Sequence, residues 1–330
     1  MLGGALCAPC AGTGAAGMRD ALCLFADAAL GRYGVPAGHP LGVDRQGAFL
    51  AELSAQSLHR AAPLRPSRMA SRTELERFHG AAFVDRVAHA ERDGLELLDS
   101  GDTPVFPGVF EAGAAVVGAA LDGLALVMRG ECRATFQPIG GLHHAGRDHA
   151  AGFCVFSDLG VVIETLRADY GIRTVAYVDI DVHHGDGIFH AYEHDPDLII
   201  ADVHQDWRSL YPGTGRPEET GRGDARATKL NLNLPAGAGD VQFLAVWPDV
   251  VAHLRRFRPQ FVLFQCGADA MAGDPLGQLR YGVNAYAHAA RSLRHLAGEF
   301  CAGRIMAFGG GGYDRRNLAA AWCTVVRELS

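Results

Sequence analysis

Ten consecutive residues, VDIDVHHGDG (178–187), carry three aspartates and two histidines at the end of an otherwise apolar run. Carboxylates beside Val and Ile are costly to bury unless opposite charge or hydrogen-bond donors meet them. Asp179, Asp181 and His183 are spaced i, i+2, i+4, a spacing that in extended backbone projects all three from one face. Two carboxylates and an imidazole gathered this way suit a divalent ion, zinc or an iron- or manganese-type metal. Asp269, in QCGADAMAGDP, offers the further protein ligand. A set of Asp181, His183 and Asp269 would leave a position for water, the arrangement of a catalytic rather than a structural centre. Singly, each residue reads equally as a cap or a hydrogen-bonded core group; the grouping carries the metal reading.

His143 and His144 in GGLHHA are adjacent, so they cannot easily both chelate one ion. Their chemistry is acid/base, because imidazole titrates near neutral pH. Different roles for two neighbouring histidines need different surroundings, and Asp179 and Asp186 are the candidate carboxylate partners of their ring N–H groups. Tyr313 follows four glycines in GGGGYD and could bring its hydroxyl over a metal to polarise a carbonyl. The glycines alone read equally as a phosphate cradle. His184 has no assignable role.

Elements that could position these residues alternate along the chain. Helical patterns recur at 46–58, 72–90, 111–129, 158–169, 241–256, 283–300 and 316–329. Between them lie β-rich runs at 135–139, 174–180, 198–203, 229–234, 261–266 and 304–309. Such alternation predicts one α/β domain of three layers, a parallel sheet with helices on both faces. Five of the runs exit into Gly, His, Asp or Tyr: GGLHHA, DVHHGDG, HQD, GADAMAGDP and GGGGYD. Sites in open parallel sheets form beyond the carboxyl ends of the strands, so these five exits are expected to converge.

The 330 residues, 48% hydrophobic and 20% charged, allow a sizeable core. A net charge of −7 argues against a general nucleic-acid surface. Residues 1–17 are Gly/Ala/Cys-rich without periodicity and read as disordered, leaving 18–330 as the domain. Cys7 and Cys10 form CAPC, but no matching pair follows, so no metal role is assigned to them. The other six cysteines sit mostly in apolar runs, as reduced thiols do. No basic-then-apolar leader is evident, and no stretch approaches the roughly 20 apolar residues of a membrane span. The expectation is a soluble, cytoplasmic protein.

The motifs GHPLGVDR (38–45), GDTPVFPG (101–108), GGLHHA (140–145), GFCVFSD (152–158), YVDIDVHHGDG (177–187), YPGTG (211–215), GADAMAGDPLG (267–277) and GGGGY (309–313) occur in one order. In that order the chain resembles the zinc-dependent histone deacetylases and their bacterial relatives, which include acetoin-utilisation and acetylpolyamine amidohydrolase-like proteins. The resemblance runs from about residue 30 to the end and implies an arginase/deacetylase-like sheet. It implies that Asp181, His183 and Asp269 hold Zn2+, with Fe2+ also compatible with that set. It implies that His144 acts as general base and acid, that His143 is its electrostatic partner, and that Asp179 and Asp186 tune the two. Tyr313 matches the tyrosine that stabilises the oxyanion. Phe153 and Tyr211 match the aromatic walls of an acyl-lysine tunnel, where the second wall is usually Phe. Gly152 matches the tunnel glycine, Asp102 a rim aspartate that holds the substrate backbone, and Arg45 a buried arginine beside an internal cavity. A structural K+ is implied at Asp179, Asp181, His183, Asp202 and Val203; Asp202 stands where many relatives have Ser.

The implied reaction removes acetyl or another short acyl group from lysine side chains of proteins or peptides, giving acetate and a free amine. Leu276 occupies the rim position where polyamine-specific relatives carry Glu, so acyl-lysine is expected over acetylpolyamine or another small acetylated amine. Two rivals stand beside this reading. One is a two-metal ureohydrolase on the same fold, suggested by Asp269 and GDP (273–275); the other is an acyl-lysine binding protein without catalysis.

Overall fold

The computed structural model describes residues 20–330. The 1–17 segment, with Cys7 and Cys10, lies outside the described residues. Eight strands form one parallel sheet: β1 (Asp20–Phe25), β2 (Leu64–Arg65), β3 (Cys132–Gln137), β4 (Val175–Asp179), β5 (Leu198–Gln205), β6 (Lys229–Leu234), β7 (Phe261–Gln265) and β8 (Ile305–Phe308). Their order across the sheet is β2-β1-β3-β8-β7-β4-β5-β6. The helices are α1 (Arg45–Ala55), α2 (Arg72–Leu75), α3 (Ala81–His89), α4 (Val109–Met128), α5 (Asp158–Tyr170), α6 (Asp186–Ala191), α7 (Asp240–Phe257), α8 (Val283–Phe300) and α9 (Arg315–Leu329).

Strand residues alternate between two apolar cores. Val175 and Tyr177 pack with residues of α3, α4, α5 and α6, whereas Ala176 and Val178 pack with residues of α1, α7, α8 and α9. Both faces of the parallel sheet are thus covered, which is why its strands read as near-continuous hydrophobic runs rather than alternating ones. The three-layer α/β architecture is the one the sequence predicts.

Local differences have physical causes. The 72–90 helical pattern breaks into α2 and α3, and Gly80 in extended backbone caps the second. The 135–139 run ends as a strand at Gln137, before Pro138, which has no N–H for the ladder. The strands β1 and β2 escape pattern reading. Helix α4 corrects the expectation of no membrane-length stretch: Val109–Met128 is long and apolar enough to cross one. It lies instead at the centre of one core, with 72% of its apolar window buried.

The strands with chemical exits, β3, β8, β7, β4 and β5, are five consecutive neighbours. Gln137, Phe308, Gln265 and Asp179 close β3, β8, β7 and β4 in one register row, which crosses β5 at Asp202 before that strand ends at Gln205. The polar loops begin just beyond this row.

Candidate active site

Strand β4 stops at Asp179, so Asp181 and His183 are not on extended backbone as the i, i+2, i+4 reading supposes. They lie in a turn that their own side chains shape. Asp179 Oδ1 accepts from Asp181 N at 2.9 Å, and Asp181 Oδ1 accepts from His183 N at 3.0 Å. Each is an aspartate bonding the backbone two residues on, the local preference that makes Asp a turn former. Asp269 arrives from the β7 exit and accepts from Val182 N at 3.0 Å, which locks its carboxylate to the same turn.

One potential ligand atom from each of Asp181, His183 and Asp269 lies within 4.8 Å of the others. His183 Nδ1 is 3.1 Å from Asp181 Oδ1 and 3.3 Å from Asp269 Oδ2. Burial opposes charge on His183, yet its contacts with the two carboxylates raise its pKa to about 10. The trio therefore draws a positive charge to its centre. Asp269 Oδ2 is buried without a properly formed hydrogen bond, an expensive condition unless a cation meets it. Glycines keep the cradle open: a Cβ at Gly311 would fall 2.0 Å from Asp269 Oδ2. These residues fit one divalent ion. Gln265 and Gly311 fix the outer oxygen of Asp181, each donating to Oδ2 at 2.9 Å.

The histidine pair hangs from the β3 exit. His143 Nδ1 donates to Asp179 Oδ2 at 2.8 Å and His144 Nδ1 donates to Asp186 Oδ1 at 2.6 Å. With both Nδ1 protons committed outward, each Nε2 is free for the pocket. Tyr177 also donates its hydroxyl to Asp179 Oδ2. Burial first, and then His143, lower the pKa of His144 against the opposing pull of Asp186. A neutral imidazole at physiological pH is the form that can take a proton. Burial raises Asp186, but His144 outweighs it and holds the carboxyl below its ordinary range.

A pocket of about 210 Å3 connects these groups to solvent. Its walls include His143, His144, Asp181, His183, Asp269 and Tyr313, together with Asp102, Gly152, Phe153, Tyr211, Leu276 and Arg45. The ring of Tyr211 stands edge-on to His144 at 5.1 Å, and Phe153 edge-on to Tyr313 at 5.9 Å. Gly152 is required by close approach, since a Cβ there would lie 2.3 Å from His144 Cδ2, and its φ is +52°. Burial, then Asp269, push the Tyr313 hydroxyl well above the ordinary tyrosine range, which keeps it a donor. Arg45 Nε and Nη2 donate to Gly312 O and Gly310 O, fixing the glycine loop from below.

A model of the histone deacetylase domain matches residues 39–329. The chain belongs to the histone deacetylase family. It is 35% identical over 271 residues to the acetoin utilization protein AcuC of Bacillus subtilis, covering 79% of this chain and 70% of that one. It is 31% identical to the histone deacetylase RPD3 of Saccharomyces cerevisiae, over 91% of this chain and 69% of the yeast protein. To the histone deacetylase-like amidohydrolase of Pseudomonas aeruginosa it is 31% identical, over 89% and 77% of the two chains. The crystal structure of the HDA15 HD domain superposes with a TM-score of 0.85 at 26% identity, covering 94% of this chain and 88% of that one. The protein is a hydrolase acting on amide bonds.

Several residues that organise this site carry no role in the sequence reading. Asp158, in the GFCVFSD motif, accepts from Gly141 N and Leu142 N at 2.8 Å each and so aims the His-His loop. Burial lifts its pKa to about 6 despite those bonds. His184, left unassigned, shares a hydrogen bond with Thr214 Oγ1 at 2.9 Å and packs its ring 5.0 Å from His204. Burial drives its pKa to about 3, so it is a neutral anchor for the loop that bears Tyr211. Leu41, Leu142, Cys154 and Leu210 complete the apolar wall. Their chemistry is bland in sequence, and only the fold gives them a place.

Among the described residues a single cluster has metal-ligand geometry. Asp274 of the GDP segment, which suggests a second metal in sequence, turns instead to Tyr313 N at 2.7 Å.

Proposed function

We propose that this protein is a metal-dependent deacylase of acyl-lysine side chains in peptides or proteins. The observation that carries the reading is the pocket itself. About 210 Å3 in volume, it is lined by Phe153 and Tyr211 together with Asp181, His183, Asp269, His144 and Tyr313. A flexible apolar stem with an amide at its tip matches that shape and its polar floor.

A zinc or ferrous ion held by Asp181, His183 and Asp269 would supply Lewis acidity to the amide carbonyl and acidify a water. His144 Nε2 removes the proton of the attacking water, and the Asp186 carboxylate steadies the imidazolium that results. The Tyr313 hydroxyl donates to the oxygen on which negative charge develops. As the C–N bond breaks, the His144 imidazolium returns its proton to the departing amine. His143, fixed by Asp179, adds its Nε2 to the same pocket and sets the field around His144. Asp102 at the mouth holds the substrate backbone, and the Gly152 carbonyl is the acceptor for the substrate amide.

A monovalent cation would use Asp179, Asp181, His183, Asp202 and Val203. The observation that supports it is the donor set: Asp179 and Asp202 are buried carboxylates facing each other in register. In this chain His204 Nδ1 also meets Asp202 Oδ1 at 2.7 Å, a partner close to the position where relatives carry Ser. Leu276 on the pocket wall supports acyl-lysine over acetylpolyamine, because an apolar side chain cannot pair with a cationic chain.

The test compares turnover of an acetyl-lysine peptide and of acetylspermidine by the zinc-loaded full chain, with and without a hydroxamate chelator. Peptide turnover that the chelator abolishes is expected. Turnover of acetylspermidine alone would sink the substrate assignment, and turnover of neither would sink the deacylase reading.

A further inference from the structure

Tyr313 must deliver one hydroxyl to one point, yet it follows four glycines. Gly310 and Gly312 have φ of +64° and +121°, and such residues have the widest backbone freedom in the chain. The fold removes that freedom group by group. Trp322 Nε1 donates to Gly309 O at 3.0 Å, Arg45 holds Gly310 O and Gly312 O, and Gly311 N donates to Asp181. The tyrosine's own two peptide groups are held from outside the pocket. Its N–H donates to Asp274 Oδ2 at 2.7 Å, shared with Asp314 N at 3.2 Å. Its carbonyl accepts from Arg315 Nη1 at 2.8 Å.

Arg315 opens α9, but its side chain folds back over the residue two before it. The same guanidinium reaches Pro40 O at 3.3 Å and Asp44 Oδ1 at 2.6 Å. Pro40 and Asp44 bracket Leu41, a pocket wall, and precede Arg45, whose guanidinium lies 5.4 Å from the centre of the Tyr313 ring. Gly42 leaves the room for this meeting, since a Cβ there would lie 2.5 Å from both Arg315 Nη2 and Asp44 Oδ1. The Arg315 and Asp44 side chains are 29% and 66% exposed, and so open an ion pair contributes little to stability. Its geometry is better matched to holding a carbonyl in place.

We infer that Asp44 and Arg315 are positioning residues for the catalytic tyrosine, tying the 38–45 pocket wall to the Tyr313 carbonyl while Asp274 holds its N–H. The inference rests on the deacylase reading. A small loss of registration at a group that acts only in the transition state lowers kcat and leaves substrate binding nearly untouched.

The test is a double-mutant cycle on an acetyl-lysine peptide with the zinc-loaded full chain. In Arg315→Gln, kcat should fall about tenfold with KM within about twofold of wild type, the pattern of a lost transition-state contact. In the Tyr313→Phe background, the same substitution should cost less than about twofold, because the group it positions is gone. An undiminished loss in that background would overturn the positioning role, as would unchanged kcat or a rise in KM alone. A melting curve checks folding. Should Arg315→Gln unfold, Asp44→Asn on the surface carries the same cycle with an expected loss of about threefold. A wild-type chain without turnover would overturn the deacylase reading and this inference together. Wild-type turnover with an indifferent Arg315→Gln would overturn the inference alone.

Discussion

The floor of the pocket and its mouth are built on different principles. On the floor, Asp179, Asp181 and Asp269 are at most 1% exposed, and each is tied to backbone or side-chain donors at the end of a central strand. At the mouth, Tyr211 is 45% exposed and Asp102 and Leu276 sit on loops outside the strands. Burial, and then the neighbouring Asp99 charge, raise the Asp102 carboxyl above its ordinary range. The sheet fixes the chemistry, because displacing any floor residue leaves a buried charge without its partner. On the proposed reading the loops would carry selectivity, since their side chains can change without disturbing that ladder.

The sharpest way to break this division is to strike the floor. His144→Ala should lower kcat about 10²- to 10⁴-fold, the usual worth of a positioned acid/base group, on peptide and small-amine substrates alike. A loss confined to one substrate would show that the floor also selects. The pH profile refines the point. His144 is held below the ordinary histidine value of 6.5, so the acidic limb of kcat/KM should lie below pH 6.5. Because Asp186 favours the charged imidazole, Asp186→Asn should move that limb to lower pH.

Next in size is the support beneath the His-His loop. Asp158→Ala strips the acceptors from two buried N–H groups and should cost about 2–4 kcal/mol in denaturant unfolding. The pKa of Asp158 is about 6 in the fold against 3.8 in the open chain. The folded state therefore binds more protons between those values, and wild-type stability should fall as pH rises through that window. The alanine variant should lack this slope. A variant as stable as wild type would mean that the loop stands without its buried carboxylate.

The smallest effect belongs to the mouth. Leu276→Glu should raise turnover of acetylspermidine relative to peptide by about threefold, the scale of an exposed ion pair, with kcat on the peptide nearly unchanged. A large fall in peptide kcat would erase the distinction between floor and mouth.

Much of this is legible in the amino-acid sequence. Alternating helical and β-rich runs specify the three-layer fold, since a parallel sheet covered on both faces leaves a plain hydrophobic signature. The polar exits of β3, β4, β7 and β8 are legible as loops, whereas His204 and Gln205 of the HQD run belong to β5 itself. Legibility failed where neighbours rather than residue types decide. Asp158 reads as the first residue of a helix, and nothing local says that its carboxylate faces Gly141 and Leu142. Helix α4 shows the converse, since a span of membrane length becomes a core helix through what packs around it.

By itself, the sequence determined which groups could do chemistry: two carboxylates and an imidazole, a histidine pair, and a tyrosine after four glycines. Residue type sets which atoms can ligate a metal or carry a proton, while their surroundings in the fold reset how tightly the proton is held. Tertiary structure decided how the groups are used. It locked the turn that takes Asp181 and His183 off the strand, a turn its own aspartates shape locally, by supplying Asp269 as the acceptor for Val182 N. It brought Asp269 to them from another strand, and it turned Asp274 from a possible metal ligand into the anchor of Tyr313. Distances between separate strand exits follow from the register of the sheet, which no single stretch of chain encodes.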